Sequence, residues 1–262
     1  MRITRKFILV ISSLLLLIVV AACTIFLRTH HTEKQENSSI KKENCNCVST
    51  FTYKPNMVYG IDVSKYQGNI DWKCLAENER IQFVYIRATY GTNIIDEKIE
   101  QNVIGATNNN FSVGLYHFFV LNKDVAEQVN NFNTQFETYQ TNLIPVIDVE
   151  EASVPRKWIG KKGFEKQVCD SVEKFISLFQ ASHPEKHLPM IYSAETFFNH
   201  FLSKRFADYP KWIANYNEAP TLTNNASYLI WQFSDKKQLC GISTRVDMNI
   251  MNTQELLQLL RQ

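Results

Sequence analysis

Glycine and proline are scarce in this chain, 8 and 7 residues of 262, and no residue type dominates. Collagen-like, coiled-coil and wholly disordered classes are thereby excluded, because each needs a strong compositional bias. A surplus of one charge is also missing: 28 Lys+Arg face 26 Asp+Glu, for a formal net charge of +2. With no dense basic cluster in the body of the chain, a nucleic-acid partner is not expected. The histidines are few and dispersed, so neither a metal site nor a cofactor is expected. Six cysteines are too few to make a disulfide scaffold of this size. What is present is an ordinary globular composition, 45% hydrophobic, and length enough for one sizeable core.

Long apolar runs are confined to the N-terminus. Phe7 to Leu27 is uncharged and almost wholly apolar, behind Arg2, Arg5 and Lys6. About 20 such residues span a bilayer as a helix, and the basic flank stays cytoplasmic. Residues 1–27 are therefore read first as a signal anchor that places the rest of the chain outside the cytoplasm. Val20-Ala21-Ala22-Cys23 also resembles a bacterial lipobox, and a cleaved signal peptide is a third reading. The apolar run continues through Ile25, Phe26 and Leu27, past the small residues, which favours the anchor. All three readings export the chain. Residues 28–56 are polar and read as a tether. Cys45 and Cys47 within it are too close together to favour pairing with each other.

From Met57 the pattern changes, and 57–262 reads as the folded body. Candidate strands are Val58–Val63, Phe83–Ala88, Val113–Phe119, Ile144–Val149, Pro189–Ser193, Trp212–Tyr216, Tyr228–Phe233 and Arg245–Ile250. Helical stripes lie between the earlier ones. Val125, Val129, Phe132, Phe136 and Tyr139 follow Asp124, an N-cap, and Phe164, Val168, Val172, Phe175 and Phe179 form a second stripe. Strands alternating with helices predict a parallel α/β sheet. The last three candidate strands begin only 16 and 17 residues apart. A parallel crossover with a full helix needs roughly 25 residues. The prediction is a trimmed, TIM-like barrel of eight strands, with its chemistry at the C-terminal strand ends.

Acids stand at those ends. The first strand carries Asp62, the fourth Asp148 and Glu150, the last Asp247 with Asn249. Positions i and i+2 share a strand face, so Asp148 and Glu150 point the same way while Ile147 and Val149 face the helices. Carboxyls crowded together cannot all ionise freely, and a raised pKa is what a general acid needs near neutrality. Structural pairing with Arg87 or Arg245 is the plain alternative. Rings accompany the acids: Tyr116, Tyr192, Tyr216 and Trp231 are candidates for a cavity wall that stacks on sugars. His117, with no nucleophile paired to it, reads as a structural histidine.

At these residues the chain resembles the family 25 glycoside hydrolases, the Chalaropsis-type lysozymes. The resemblance runs from about Tyr59 to Asn252. It rests on Gly60-Ile61-Asp62-Val63-Ser64, Gln67-Gly68, Ile70-Asp71-Trp72, Arg87-Ala88-Thr89, Gly114-Leu115-Tyr116-His117-Phe118 and Pro145-Val146-Ile147-Asp148-Val149-Glu150. Trp212-Ile213-Ala214, Trp231-Gln232-Phe233 and Val246-Asp247-Met248-Asn249 complete it. It implies a barrel of eight strands with about five helices, acting on the β-1,4 bond between N-acetylmuramic acid and N-acetylglucosamine of peptidoglycan with retention. It implies Glu150 as acid/base, and Asp148 as nucleophile or as the group orienting the substrate's acetamido. Asp62 and Asp247 would complete an acidic pocket. Many members have Lys-Ala-Thr-Glu-Gly where this chain has Arg87-Ala88-Thr89-Tyr90-Gly91: the charge is kept and the acid is lost. The expected partners are glycan strands and, through the N-terminus, a membrane; a monomer is expected.

Two rivals compete. A catalytically inactive wall-binding module of the same fold would keep the rings and could lose the acid, but Glu150 is present. A chitinase-like hydrolase would carry a longer D-x-x-D-x-D-x-E run, and Leu143, Ile144 and Val146 stand in the way.

Overall fold

The computed structural model describes residues 45, 47–184 and 188–260. Its strands are β1 (Met57–Val63), β2 (Ile81–Tyr90), β3 (Ile94–Ile95), β4 (Ser112–Phe118), β5 (Val146–Asp148), β6 (Met190–Ala194), β7 (Lys211–Ala214), β8 (Ile230–Lys237) and β9 (Val246–Asn252). Eight of them close into a barrel in the order β1-β2-β4-β5-β6-β7-β8-β9, with β9 returning to β1; β3 only lengthens the edge of β2. All eight strands expected from the sequence are barrel strands.

The expectation of a parallel sheet fails at one strand. Around the barrel β1, β2 and β4 to β8 pair in parallel, but β9 is antiparallel to both neighbours. Residues 238–245 are all that join β8 to β9, too short for the crossover that a parallel return requires. Between β7 and β8 only a 3-10 turn, Thr223–Asn225, replaces a helix. The two aromatic stripes are the helices Val125–Tyr139 and Phe164–Ser182, and the Asp124 carboxylate accepts from the Glu127 N–H at 2.9 Å as its N-cap. Helical segments that no stripe announced are Trp72–Asn78, Ile99–Asn108, Glu195–Phe197 and Ser203–Phe206, which flank a π-turn at Phe198–Leu202, and Thr253–Leu259.

The core has two layers, and strand alternation sorts residues between them. Val58, Phe83, Tyr85, Val146, Met190, Trp212, Ile230 and Met251 fill the barrel interior. Ile61, Val84, Ile86, Leu115, Ile147, Ile191, Ile213 and Met248 face outward onto the helices. Gly60 and Gly114 give two of the interior rings room: a Cβ at Gly60 would lie 2.3 Å from Phe83, and one at Gly114 would lie 2.2 Å from Tyr85. His117 belongs to the outer layer. It is fully buried, its Nδ1 is 2.7 Å from Thr89 Oγ1 and its ring stacks on Phe175, and burial lowers its pKa to about 4. It is a structural residue.

The body begins earlier than the polarity change at Met57 implies. Residues from Cys47 onward pack with the barrel. Cys47 is disulfide-bonded to Cys240 in the β8–β9 loop, and Cys45 and Cys74 are also half-cystines. Phe51 and Tyr53 pack edge-to-face with each other and with Tyr59. Buried Glu79 ties this strap down: it accepts from Ser49 Oγ at 2.6 Å, from the Tyr53 hydroxyl and from the Cys240 N–H at 2.9 Å. Two rings and two hydroxyls among polar neighbours give too weak a period to be read as structure. Cys169 is a buried free thiol. The run Phe7–Leu27 lies outside the described residues, and among those described no helix is long and apolar enough to cross a membrane.

The Cys47–Cys240 bond closes a sequence separation of 193 residues. Removing so long a cross-link frees much unfolded-state entropy, so Cys47→Ser with Cys240→Ser should lower stability by about 2–4 kcal/mol. Urea unfolding of the double variant checks this; a midpoint unchanged from wild type would mean that the Glu79 contacts alone hold the strap.

Candidate active site

The inward face of each strand changes from apolar to polar toward the C-terminal mouth. On β1 the inward series is Val58, Gly60, Asp62; on β2 it is Phe83, Tyr85, Arg87; on β5 it is Val146, Asp148 and, one step past the strand, Glu150, still extended at φ −137°. β9 runs the other way, so its beginning lies at the same mouth: Asp247 is the register partner of Asp62. A cavity of about 290 Å³ opens there. Asp62, Asp148, Glu150, Asp247, Arg87, Tyr116, Tyr192 and Tyr216 all line it, which brings together eight of the nine candidates.

Trp231 is the exception. Ile230 and Gln232 occupy the inward face of β8, so Trp231 points outward, where its Nε1 donates to the Asn215 carbonyl at 2.7 Å and its ring packs against Phe233. The indole in the cavity is that of Trp212, 2% exposed, with its ring between Tyr85 at 5.0 Å and Tyr192 at 4.8 Å. A period of two puts Trp231 and Gln232 on opposite faces, and closure of the barrel decides that the Gln232 face is the inward one. Tyr66 and Asp235, both lining the cavity, were not foreseen: Tyr66 sits in the 3-10 turn Lys65–Gln67, and Asp235 lies beyond the candidate strand's end at Phe233, where β8 runs on past a register shift.

Arg87 does pair structurally, though not with the clustered acids. Its Nε and NH2 both reach Asp96 Oδ2, at 2.9 and 2.7 Å, and the Tyr66 ring covers it at 5.0 Å. The clustered acids are left to one another, and all four are pushed above the ordinary carboxylate range. For Asp148 the cause is first burial, then the charges of Glu150 and Asp62; its Oδ1 is buried with no hydrogen-bond partner. For Glu150 it is burial, then Asp62 and Glu151. Burial and the hydrogen-bonded Asp62 push Asp247 up to about 9. Asp62 is raised by burial, and amide donors from Asn249 and Gln232, at 2.8 and 2.9 Å, pull it back. Protons are therefore held in this cavity at neutral pH, beside a wall of rings.

A trimmed barrel whose mouth gathers proton-holding carboxyls and aromatic walls has the makings of a glycoside hydrolase. The model of "Glycosyl hydrolases family 25" matches residues 61–242. The chain belongs to that family and is a glycoside hydrolase. It is 31% identical over 206 residues to the uncharacterised protein YegX of Escherichia coli O157:H7, covering 77% of this chain and 72% of that one. Among solved structures, a bacterial lysozyme from Streptomyces coelicolor superposes with a TM-score of 0.65 at 26% identity, covering 78% of this chain and 96% of the other. The family 25 glycosyl hydrolase from Bacillus anthracis shares the fold with a TM-score of 0.69 at 24% identity, over 81% and 99% of the two chains.

Proposed function

We propose that this protein hydrolyses peptidoglycan, cleaving the β-1,4 bond between N-acetylmuramic acid and N-acetylglucosamine with retention of configuration. The observation that carries the reading is the placement of Asp148 and Glu150 on one inward face, both with raised pKa, in a cavity walled by tyrosines. Glu150 is the less buried of the two and is the acid/base. It protonates the leaving oxygen and then activates water. Asp148 is the second carboxyl. Its unpartnered, buried Oδ1 suits the acetamido N–H of a bound sugar, and positive charge developing at the anomeric carbon favours its ionised form. The acetamido oxygen then attacks that carbon, and water later opens the resulting ring, so that two inversions give net retention. Asp62 and Asp247 complete the acidic wall.

The protein works outside the cytoplasm, held at a membrane by Phe7–Leu27. Two features support this: the basic flank before the apolar run, and the Cys47–Cys240 disulfide, which persists in an oxidising compartment. Mass spectrometry of peptidoglycan digested by the protein tests the bond assignment. Fragments ending in reducing muramic acid are expected; reducing glucosamine ends would mean that the other glycosidic bond is cut.

A further inference from the structure

Two side-chain amides stand behind the acids; a donor-only indole orients the first, and the shared Asp62 oxygen orients the second. The indole N–H of Trp212 can only donate. It donates to Asn249 Oδ1 at 2.8 Å, which leaves Asn249 Nδ2 to donate to Asp62 Oδ2 at 2.8 Å. Gln232 Nε2 donates to the same oxygen at 2.9 Å. Gln232 Oε1 then receives two hydroxyls, Tyr192 at 2.9 Å and Tyr216 at 2.8 Å. Gln232 and Asn249 are 1% and 0% exposed, so water does not compete for these atoms.

We propose that Gln232 is a positioning residue that sets the donor–acceptor polarity of the cavity, holding Asp62 as an acceptor and turning the protons of Tyr192 and Tyr216 away from the substrate. Both tyrosines then meet the sugar as acceptors, which selects a donor, either an acetamido N–H or a hydroxyl. This rests on the glycoside hydrolase reading above. Asp247 fits the scheme: it hydrogen-bonds to Asp62 and holds its proton to about pH 9. The other titratable groups around the cavity are Asp148 from β5 and Glu150 just past it, Tyr116 from β4, Arg87 from β2, Asp235 from β8 and Tyr66 from the turn after β1. Arg87 is neutralised by Asp96, so the surroundings of Gln232 are acidic and buried.

That environment makes Gln232→Glu a reversible switch. A protonated Glu copies the amide: its O–H donates to Asp62 and its carbonyl accepts from the tyrosines. Ionised, it can only accept, and Asp62 must take up a proton to face it. Burial and neighbouring acids raise the pKa of such a carboxyl, so the copy persists at acid pH and is lost as pH rises through that pKa. Gln232→Met keeps the size and has neither atom. Kinetics on purified peptidoglycan, for the full chain between about pH 4.5 and 8, bracket the range over which a raised carboxyl titrates. The expected result is that Gln232→Glu stays within about fivefold of wild type at the acid end and falls tenfold or more below it at the alkaline end, a loss of the size general acid–base variants show. Gln232→Met is expected to be low throughout.

The proposal is overturned if Gln232→Glu is no better than Gln232→Met at acid pH, if its deficit is the same at every pH, or if Gln232→Met has wild-type kcat and KM. Thermal melts at both pH extremes separate a loss of polarity from a loss of fold. Wild-type lysis is the control that keeps the two readings apart: its absence would overturn the hydrolase assignment, whereas normal wild-type lysis with any of the outcomes above overturns only the role of Gln232.

Discussion

Glu150→Gln is expected to reduce turnover of intact peptidoglycan by about 10²–10⁴-fold, the usual contribution of a general acid–base, toward the upper end because a sugar is a poor leaving group. The substitution keeps the shape and the hydrogen-bonding atoms and removes the transferable proton. Folding and saccharide binding should survive, since Glu150 is only partly buried and its backbone N–H, which accepts no change, stays bonded to Ser153 Oγ at 3.0 Å. The wild-type profile should show the same group. The pKa of Glu150 is raised, so the acid form extends closer to neutrality than an ordinary Glu would allow, and activity is lost as pH rises through that value. An activated substrate with a good leaving group needs no acid in its first step, and should restore a pre-steady-state burst to Glu150→Gln. Ordinary activity of this variant on intact wall would remove Glu150 from the role. Glu151, adjacent and exposed, would be the next residue to test.

Asp148→Asn is expected to be comparably severe, of the order of the 10²–10³-fold lost when one group that stabilises transition-state charge is removed. Its cause differs. Asn can still accept an N–H bond, but it cannot gain the negative charge that offsets the developing cation. An activated leaving group should therefore rescue Asp148→Asn much less than it rescues Glu150→Gln. Comparing the burst amplitudes of the two variants on one activated substrate separates proton transfer from charge stabilisation. Equal rescue would mean that the two carboxyls do not divide the work in this way.

Most of the barrel could be read locally. Apolar strands end in Asp62 and in Asp148 with Glu150, and a period of two tells which residues share a face; helical stripes behind Asp124 and from Phe164 onward bury one side whatever they pack on. The short spacing of the last strands showed that full crossover helices were missing. The direction of the last strand was not read from that spacing. Eight residues, 238–245, exclude a parallel crossover, and β9 pairs antiparallel with both β8 and β1. That reversal is why Asp247, at the beginning of its strand, meets Asp62 at the end of another.

The N-terminal strap and the amide network depended on the tertiary structure for a different reason. Cys47, Ser49 and Tyr53 reach Cys240 and Glu79 across long sequence separations, and such contacts leave no period in the chain. Gln232 and Asn249 are 170 and 187 residues from Asp62, yet both donate to it. By itself the sequence determined the strand and helix alternation, the acids at the mouth and the family. Closure of the barrel decided which carboxyls share a cavity, which tryptophan lines it, and which way its hydrogen bonds run, because burial and donor direction are properties of neighbours brought together from distant parts of the chain.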